Sequence, residues 1–478
     1  MQISQARPGL VPFIAAGAMF MENLDATVIT TALPAMAIAF GATTTSVSLG
    51  ISGYMLAVAI CIPLSGWLAD RWGTRTVLCS AIALFTLASV LCGLCDTLGG
   101  FVACRVLQGA AAALMTPVAR LVVVRNTAKA DLMRAIAIIT WPALVAPVLG
   151  PPIGGFFTVY ASWRWIFYMN IPIGTLGVLL AWRYVAEHRL ADHKPFDFYG
   201  FALVASALSA LMLGLQWLGG EGGWGIGAGL LLAGAVLGGF ALRHAAQSAH
   251  PVFSLAATRV QSFAATTLGG GFLSRLSISA LPFLLPLLFQ VAFGLNAFVS
   301  GLMVLGYFVG NIAMKLLVTR IVRALGFRQV LVANGLALAM SVWLCAALRP
   351  GWPTIAVATA LLVGGACRSL QMTALNSLAF ADVPAEHTSG ANTLSSLVQQ
   401  MANATGVALA AGLLQLSLGL RGGGGLALQD FQIAFIGVGA FSALAVFSYA
   451  KLPPTTGAQV SGHTSRTASG HGRDSGRY

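Results

Sequence analysis

Charge is what this sequence has least of. Only 8% of its 478 residues are Asp, Glu, Lys or Arg, against 58% hydrophobic, and its mean hydropathy is +0.85. A water-soluble globular protein of this length needs far more charge on its surface, so the bilayer is the solvent. Short alternating segments of the kind that build a membrane barrel are missing, and the apolar runs are long and continuous, which leaves helices. Histidine is absent where redox chemistry would need it. Its seven copies (188, 193, 244, 250, 387, 463 and 471) read as loop or tail positions, which excludes a haem or quinone site built on histidines within the membrane. Metal-ligand spacings and a soluble catalytic domain are also lacking, so a membrane enzyme or redox subunit is the weakest reading, and neither cofactor nor metal is expected. Cys92-Gly-Leu-Cys95 has redox spacing, but it ends an apolar run without a βαβ pattern and reads as incidental.

Acids are scarcer than bases, 13 against 26, giving a net charge of +13. The basic residues stand singly between apolar runs, so the bias that keeps cations in the cytosol explains them and no nucleic-acid partner is expected. The knot Gly66-Trp67-Leu68-Ala69-Asp70-Arg71-Trp72-Gly73-Thr74-Arg75 shows the pattern best: residues 45–68 and 77–95 on either side carry no charge. It reads as a tight cytosolic loop between two spans.

Counting apolar runs of about 20 residues gives fourteen spans, grouped six, two and six. The first begins near Gly9, and because Glu22 and Asp25 interrupt it before the apolar character resumes, it reads as an uncleaved span rather than a signal peptide. The expected fold is therefore an all-α polytopic membrane protein. Its units are a six-helix bundle over 1–190, a two-helix central insertion over 191–255 and a second six-helix bundle over 256–453. A polar tail over 454–478, with almost nothing to bury, is expected to be disordered. With the N-terminus in the cytosol, twenty Lys and Arg residues fall inside and three (Arg164, Arg349, Arg421) outside, while Arg105, Arg275 and Arg368 remain within the membrane. Adding or removing one span destroys that bias, so both termini are expected to be cytosolic.

The halves echo one another. Gly73-Thr-Arg75-Thr-Val77-Leu78 returns 253 residues later as Gly326-Phe-Arg328-Gln-Val330-Leu331, and Arg105-Val-Leu-Gln108 returns 263 residues later as Arg368-Ser-Leu-Gln371. Both matches fall on the third and fourth spans of their groups, as a duplicated six-helix bundle requires. The second copy has Arg323 where the first has Asp70. Asp70 and Arg71, with Gly66, Gly73 and Arg75, are expected to form a cytosolic gate that bridges helix ends between the halves.

Each intramembrane charge costs about 2.5–3.5 kcal/mol at mid-helix and therefore needs a reason. Glu22 and Asp25 lie one turn apart on one face, and two carboxylates there cannot both ionise cheaply, so the pair is expected to hold a proton. Asp25 serves either proton coupling or a permanent ion pair with Arg105. Gln108 continues the polar stripe of Arg105, with Gly109 beside it. Arg275 and Arg368 have no evident acidic partner in their half, and three roles stand open: binding an anionic group, receiving the charge of Asp25 across a cavity, or holding backbone carbonyls. Gln371, Gln399, Gln400 and Asn403 either line a cavity or bond helix to helix. Pro142, Pro147, Gly150-Pro151-Pro152 and Gly154-Gly155 crowd one span, as a bendable contact between halves or as a packing kink.

These motifs together resemble the major facilitator superfamily, specifically its fourteen-helix drug:H+ antiporters of the EmrB/QacA type and, among these, MdtD/HsrA-like transporters. Residues 66–75 are similar to the family's motif A, Arg105-Val-Leu-Gln108-Gly109 to motif B, and Gly150-Pro151-Pro-Ile-Gly154-Gly155 to the antiporter motif C. Leu24-Asp25-Ala-Thr27 with Ala32-Leu33-Pro34 resembles the first-helix motif, and Ser162-Trp-Arg-Trp-Ile-Phe167 with Asn170-Ile-Pro172 the connection into the sixth helix. Thr74 stands where motif A usually has a second basic residue, and Glu22 belongs to none of these motifs. The resemblance implies a proton-driven inner-membrane exporter whose halves rock about a central cavity, with Asp25 and Arg105 as coupling residues and motif C as the antiporter hinge. The expected partners are protons, small amphipathic substrates and the lipid bilayer; a periplasmic adaptor is compatible with the topology, but no residue points to one. An importer or uniporter of a metabolite is the alternative, against which motif C argues.

Overall fold

The computed structural model describes residues 9–127, 131–189, 195–218, 224–248, 251–253, 255–384 and 388–461. Every regular element among them is helical, because in lipid a spanning segment must satisfy its backbone N–H and C=O groups within itself. The first half holds α1 (Val11–Val28), a 3-10 turn (Ile29–Thr31), α2 (Leu33–Phe40), α3 (Thr44–Trp72), α4 (Thr74–Leu94), α5 (Leu98–Asn126), α6 (Leu132–Tyr160), α7 (Trp165–Tyr168) and α8 (Asn170–Tyr184). A hairpin follows, α9 (Phe198–Leu218) and α10 (Trp224–Gln247). The second half holds α11 (Gln261–Phe263), a π turn (Ala264–Leu268), α12 (Gly270–Leu287), α13 (Ala297–Leu325), α14 (Phe327–Ala347), α15 (Thr354–Ala381), α16 (Thr388–Leu420), α17 (Leu428–Ala450) and a short α18 (Ala458–Ser461).

Eleven described helices are long and apolar enough to cross a membrane, twelve if α1 and α2 count as one bent span. The chain is thus a multi-pass membrane protein. The sequence count was fourteen; α6 and α9 contribute only the shorter apolar stretches Val145–Tyr160 and Phe198–Gly214 to this test. The 68° bend between α1 and α2 was not foreseen. Pro34 at the start of α2 supplies no N–H to the preceding turn. The hydroxyls of Thr27, Thr30 and Thr31 instead donate back to the carbonyls of Asn23, Thr27 and Val28 at 2.8–3.1 Å.

Contacts repeat between the halves. In the first, α1 packs on α5, α6 and α8, α3 on α5, and α4 on α5 and α8. In the second, α12 packs on α15, α16 and α17, α13 on α15, and α14 on α15 and α17. Two seams join the halves, α6 on α13 and α3 on α16, and each seam maps onto the other when the halves are exchanged. The hairpin of α9 and α10 packs on itself and lies over the α3–α16 seam.

The knot at residues 66–75 is not a loop. Gly66 to Trp72 continue α3, Thr74 and Arg75 begin α4, and Gly73 alone stands between them at φ 96°. Gly326 repeats that junction between α13 and α14 at φ 78°. A glycine at positive φ reverses the chain without a polar linker, and Arg71 in the last turn of α3 faces that helix's negative end. His244, expected in a loop, lies in the last turn of α10, where Asp197 meets its Nε2 at 2.9 Å. The expected disordered tail begins with turns at 454–457 and α18, and its remainder from 462 lies outside the described residues, as do Arg7, Lys129, Lys194 and the tail arginines.

Candidate functional site

Four polar side chains meet inside the first half, sealed from solvent. Arg105 Nη1 lies 2.6 Å from Asp25 Oδ2 and donates to Gln108 Oε1, also at 2.6 Å. Gln108 Nε2 and Asn170 Nδ2 donate to Asp25 Oδ1 at 3.0 and 2.9 Å. Asn170 also reaches Ser89 Oγ at 2.8 Å, and the Arg105 guanidinium sits 4.3 Å from the Tyr54 ring centre. The local sequence explains the assembly. Arg105 and Gln108 are one turn apart on α5, so both reach Asp25 on α1. A Cβ on Gly109 would stand 2.3 Å from the Tyr54 carbonyl oxygen, so only glycine lets α3 come this close. A buried ion pair needs its remaining lone pairs satisfied to offset desolvation, and the two amides do this for Asp25.

This cluster does not border the cavity between the halves. Two adjoining spaces of about 320 and 700 Å³ lie there, sharing Glu22, Val58, Gln399 and Gln400 as lining. The larger reaches the helix ends near Asp70, with Ser65, Gly66, Val124 and Asn392 on its walls. At the far end the halves are fused. One core runs from Leu24, Val28 and Ile51 to Phe283, Phe289 and Val407, Gln290 donates to the Thr31 carbonyl at 3.0 Å, and Gln415 to the Thr45 hydroxyl.

Glu22, not Asp25, is the acid on the cavity wall, and its Oε2 accepts from the Thr116 hydroxyl at 2.6 Å. Of the other residues expected to line it, Arg368, Gln399 and Asn403 do, and Gln400 joins them. Gln108, Arg275 and Gln371 do not. Gln108 is held in the Asp25 cluster, and Gln371 accepts from Asn334 Nδ2 at 2.8 Å between α14 and α15. Arg275 donates to the Thr266 carbonyl at 2.6 Å and to Asn376 Oδ1 at 2.9 Å. Of its three open roles it takes the backbone one, holding a carbonyl of the π turn before α12.

The glycines of α6 divide between two neighbours. A Cβ on Gly150 would lie 2.2 Å from Thr27 Oγ1 and one on Gly154 2.3 Å from the Val28 carbonyl, both on the α1 side. On Gly155 it would lie 2.3 Å from the Ala297 carbonyl, across the seam, and Gly301 of α13 faces the Pro151 carbonyl at the same distance. The segment is therefore a contact between halves, and α6 stays helical through its four prolines.

Among the described residues the bridge between halves expected of Asp70 is not made in this conformation. Asp70 Oδ1 accepts from Arg125 Nη2 at 2.7 Å within its own half, and Arg71 lies over Trp67 at 5.1 Å. Arg75 pairs with Glu187 at 3.6 Å, while Glu187 also accepts from the Arg75 backbone N–H at 3.0 Å and the Thr76 hydroxyl at 2.5 Å. Glu187, Thr116, Tyr54 and Arg125 were missed by sequence reasoning. The only signal for Glu187 was that acids number just thirteen.

Two bundles joined by equivalent seams, open at one end and fused at the other, define a membrane transporter. A sequence profile described as Major Facilitator Superfamily matches residues 15–242 and 267–470, and the chain belongs to that superfamily. Among its relatives are proteins carrying the multidrug-resistance name MdtD. The one from Citrobacter koseri is 34% identical over 93% of this chain and 94% of its own length. Those from Klebsiella pneumoniae and Escherichia coli are 36% and 35% identical, over 93% of this chain and 95% and 94% of their own. Among solved structures, a D-xylose–proton symporter (TM-score 0.66, 15% identity, covering 94% of this chain and 98% of its own) shares the fold. So does an auto-inhibited peptide transporter of the POT family (TM-score 0.68, 16% identity, covering 92% of this chain and 96% of its own).

Proposed function

We propose that this chain is a proton-coupled multidrug efflux antiporter of the inner membrane, with both termini in the cytosol and fourteen spans. Its units are bundles at 1–190 and 256–453, an insertion at 191–255 and a tail at 454–478. The observation that carries the coupling is the division of labour between two acids one turn apart. Glu22 borders the cavity, whereas Asp25 is locked to Arg105 behind it. Protons and substrates meet Glu22 from the cavity, and the Asp25 cluster ties α1, which carries Glu22, to α5 and α8. The conformation faces the cytosol. Closing the Asp70 end and parting the far end along the α6 seam, where glycines let backbones slide past one another, completes the cycle. The names of the MdtD relatives support drugs as cargo. Purified protein in liposomes with an imposed pH gradient tests this: added dyes and drugs should dissipate the gradient. A folded protein that leaves it intact with every cationic, anionic and neutral compound tried contradicts the reading.

A further inference from the structure

Arg368 occupies in α15 the position that Arg105 occupies in α5, but its surroundings are different. Arg105 has Asp25 on α1, whereas α12, the counterpart of α1, contains no acidic residue. Among the described residues Arg368 makes no ion pair. It rests over the rings of Phe308 and Tyr307 at 5.5 and 5.6 Å, and its Nη1 is buried without a hydrogen-bond partner. It borders the 320 Å³ cavity. A guanidinium in a low-dielectric wall with an unmet donor is costly, and ring contacts offset only part of that cost.

The whole path has one sign in excess. Among the described residues lining the two adjoining spaces the only acid is Glu22, whereas Arg368 stands in the inner one and Arg120 in the outer. Around Arg368 the wall offers Met372, Phe308, Phe283 and Ile278 for an apolar body, with Gln399, Gln400 and Asn403 for polar substituents. Arg275 is already committed to a backbone carbonyl, so it does not compete.

Resting on the efflux reading above, we propose that the cargo is an amphipathic anion, an aromatic or aliphatic body bearing a carboxylate or similar oxyanion. That group binds the Arg368 fork through charge-assisted hydrogen bonds, while Glu22 exchanges the proton on the facing wall.

A matched pair of dyes tests this, fluorescein as the anion and rhodamine 6G as the cation on a similar ring system. Fluorescence anisotropy with detergent-purified protein should show fluorescein bound, and Arg368→Gln should weaken it about ten- to hundredfold while leaving rhodamine 6G unchanged or tighter. Arg368→Lys, which keeps the charge, should retain most of the affinity and guards against a folding defect in the glutamine variant. Fluorescein binding that is indifferent to Arg368→Gln overturns the proposal, as does binding of rhodamine 6G alone. Restoration of fluorescein affinity in the double variant Glu22→Gln/Arg368→Gln also overturns it, because Arg368 would then only neutralise Glu22. Binding is separate from transport: Arg368-dependent binding without gradient dissipation would refute proton-coupled efflux and leave the anion site standing.

Discussion

Arg105 Nη1 lies 2.6 Å from Asp25 Oδ2, and neither side chain is more than 1% exposed. The pair joins α5 to α1, and with Gln108 and Asn170 it draws on three helices of one half. Removing one partner leaves a buried charge alone, which costs about 3–5 kcal/mol. Asp25→Asn should therefore lower thermal stability and, by loosening α1, which carries Glu22, impair uphill transport. The double variant Asp25→Asn/Arg105→Gln should regain much of the stability without regaining uphill transport. Thermal unfolding in detergent, read beside counterflow, separates the two effects.

Glu22 faces the cavity and accepts a hydrogen bond from the Thr116 hydroxyl. Glu22→Gln should leave the fold unchanged, because the amide still accepts from Thr116, and should flatten substrate binding between mildly acidic and mildly alkaline pH. Binding isotherms across that range check this; an unchanged pH profile removes Glu22 from proton exchange.

Gly73 is constrained twice. Its φ of 96° disfavours any side chain, and an added Cβ would stand 2.1 Å from Glu187 Oε1. Gly73→Ala should cost about 1–3 kcal/mol for the backbone alone and displace the carboxylate that holds Arg75 and Thr76. Reduced turnover in Gly73→Ala, matched by Glu187→Gln, is the expected outcome of transport assays on both.

Gly155 lets α6 touch Ala297 of the other half. Gly155→Val should prop this seam open and shift the population away from the conformation described. In a cysteine-free background, a cysteine replacing Gln290 should then react faster with a membrane-impermeant maleimide than in the parent.

Asp70 and Arg125 are partly exposed, at 31% and 22%, so their pair contributes at most about 1 kcal/mol. Asp70→Asn should leave stability nearly unchanged and slow turnover by loosening closure of its end. Normal turnover in this variant sinks the gating role.

Much of this molecule was legible before folding. Apolar runs gave the helices, because lipid leaves the backbone no other solution, and the repeated Gly73 and Gly326 segments marked equivalent junctions. The pairing of Asp25 with Arg105 was within reach because a buried carboxylate and a buried guanidinium offset part of each other's desolvation cost by meeting. What escaped was long-range. Glu187 reaches Gly73 across 114 positions, and nothing local connects them. Whether Glu22 or Asp25 faced the cavity depended on how α1 is rotated against α5, which one turn of sequence does not reveal. Gln108, Arg275 and Gln371 looked like cavity polar groups because a polar residue in an apolar helix reads the same whether it meets a cavity or a neighbouring helix.

The most direct test is proton movement driven by substrate in liposomes holding the parent protein or Glu22→Gln at equal density. Proton exchange at Glu22 predicts that substrate added against an imposed gradient releases protons through the parent, and that Glu22→Gln still exchanges labelled substrate across the membrane without moving protons. Equal proton fluxes in the two proteins would contradict it.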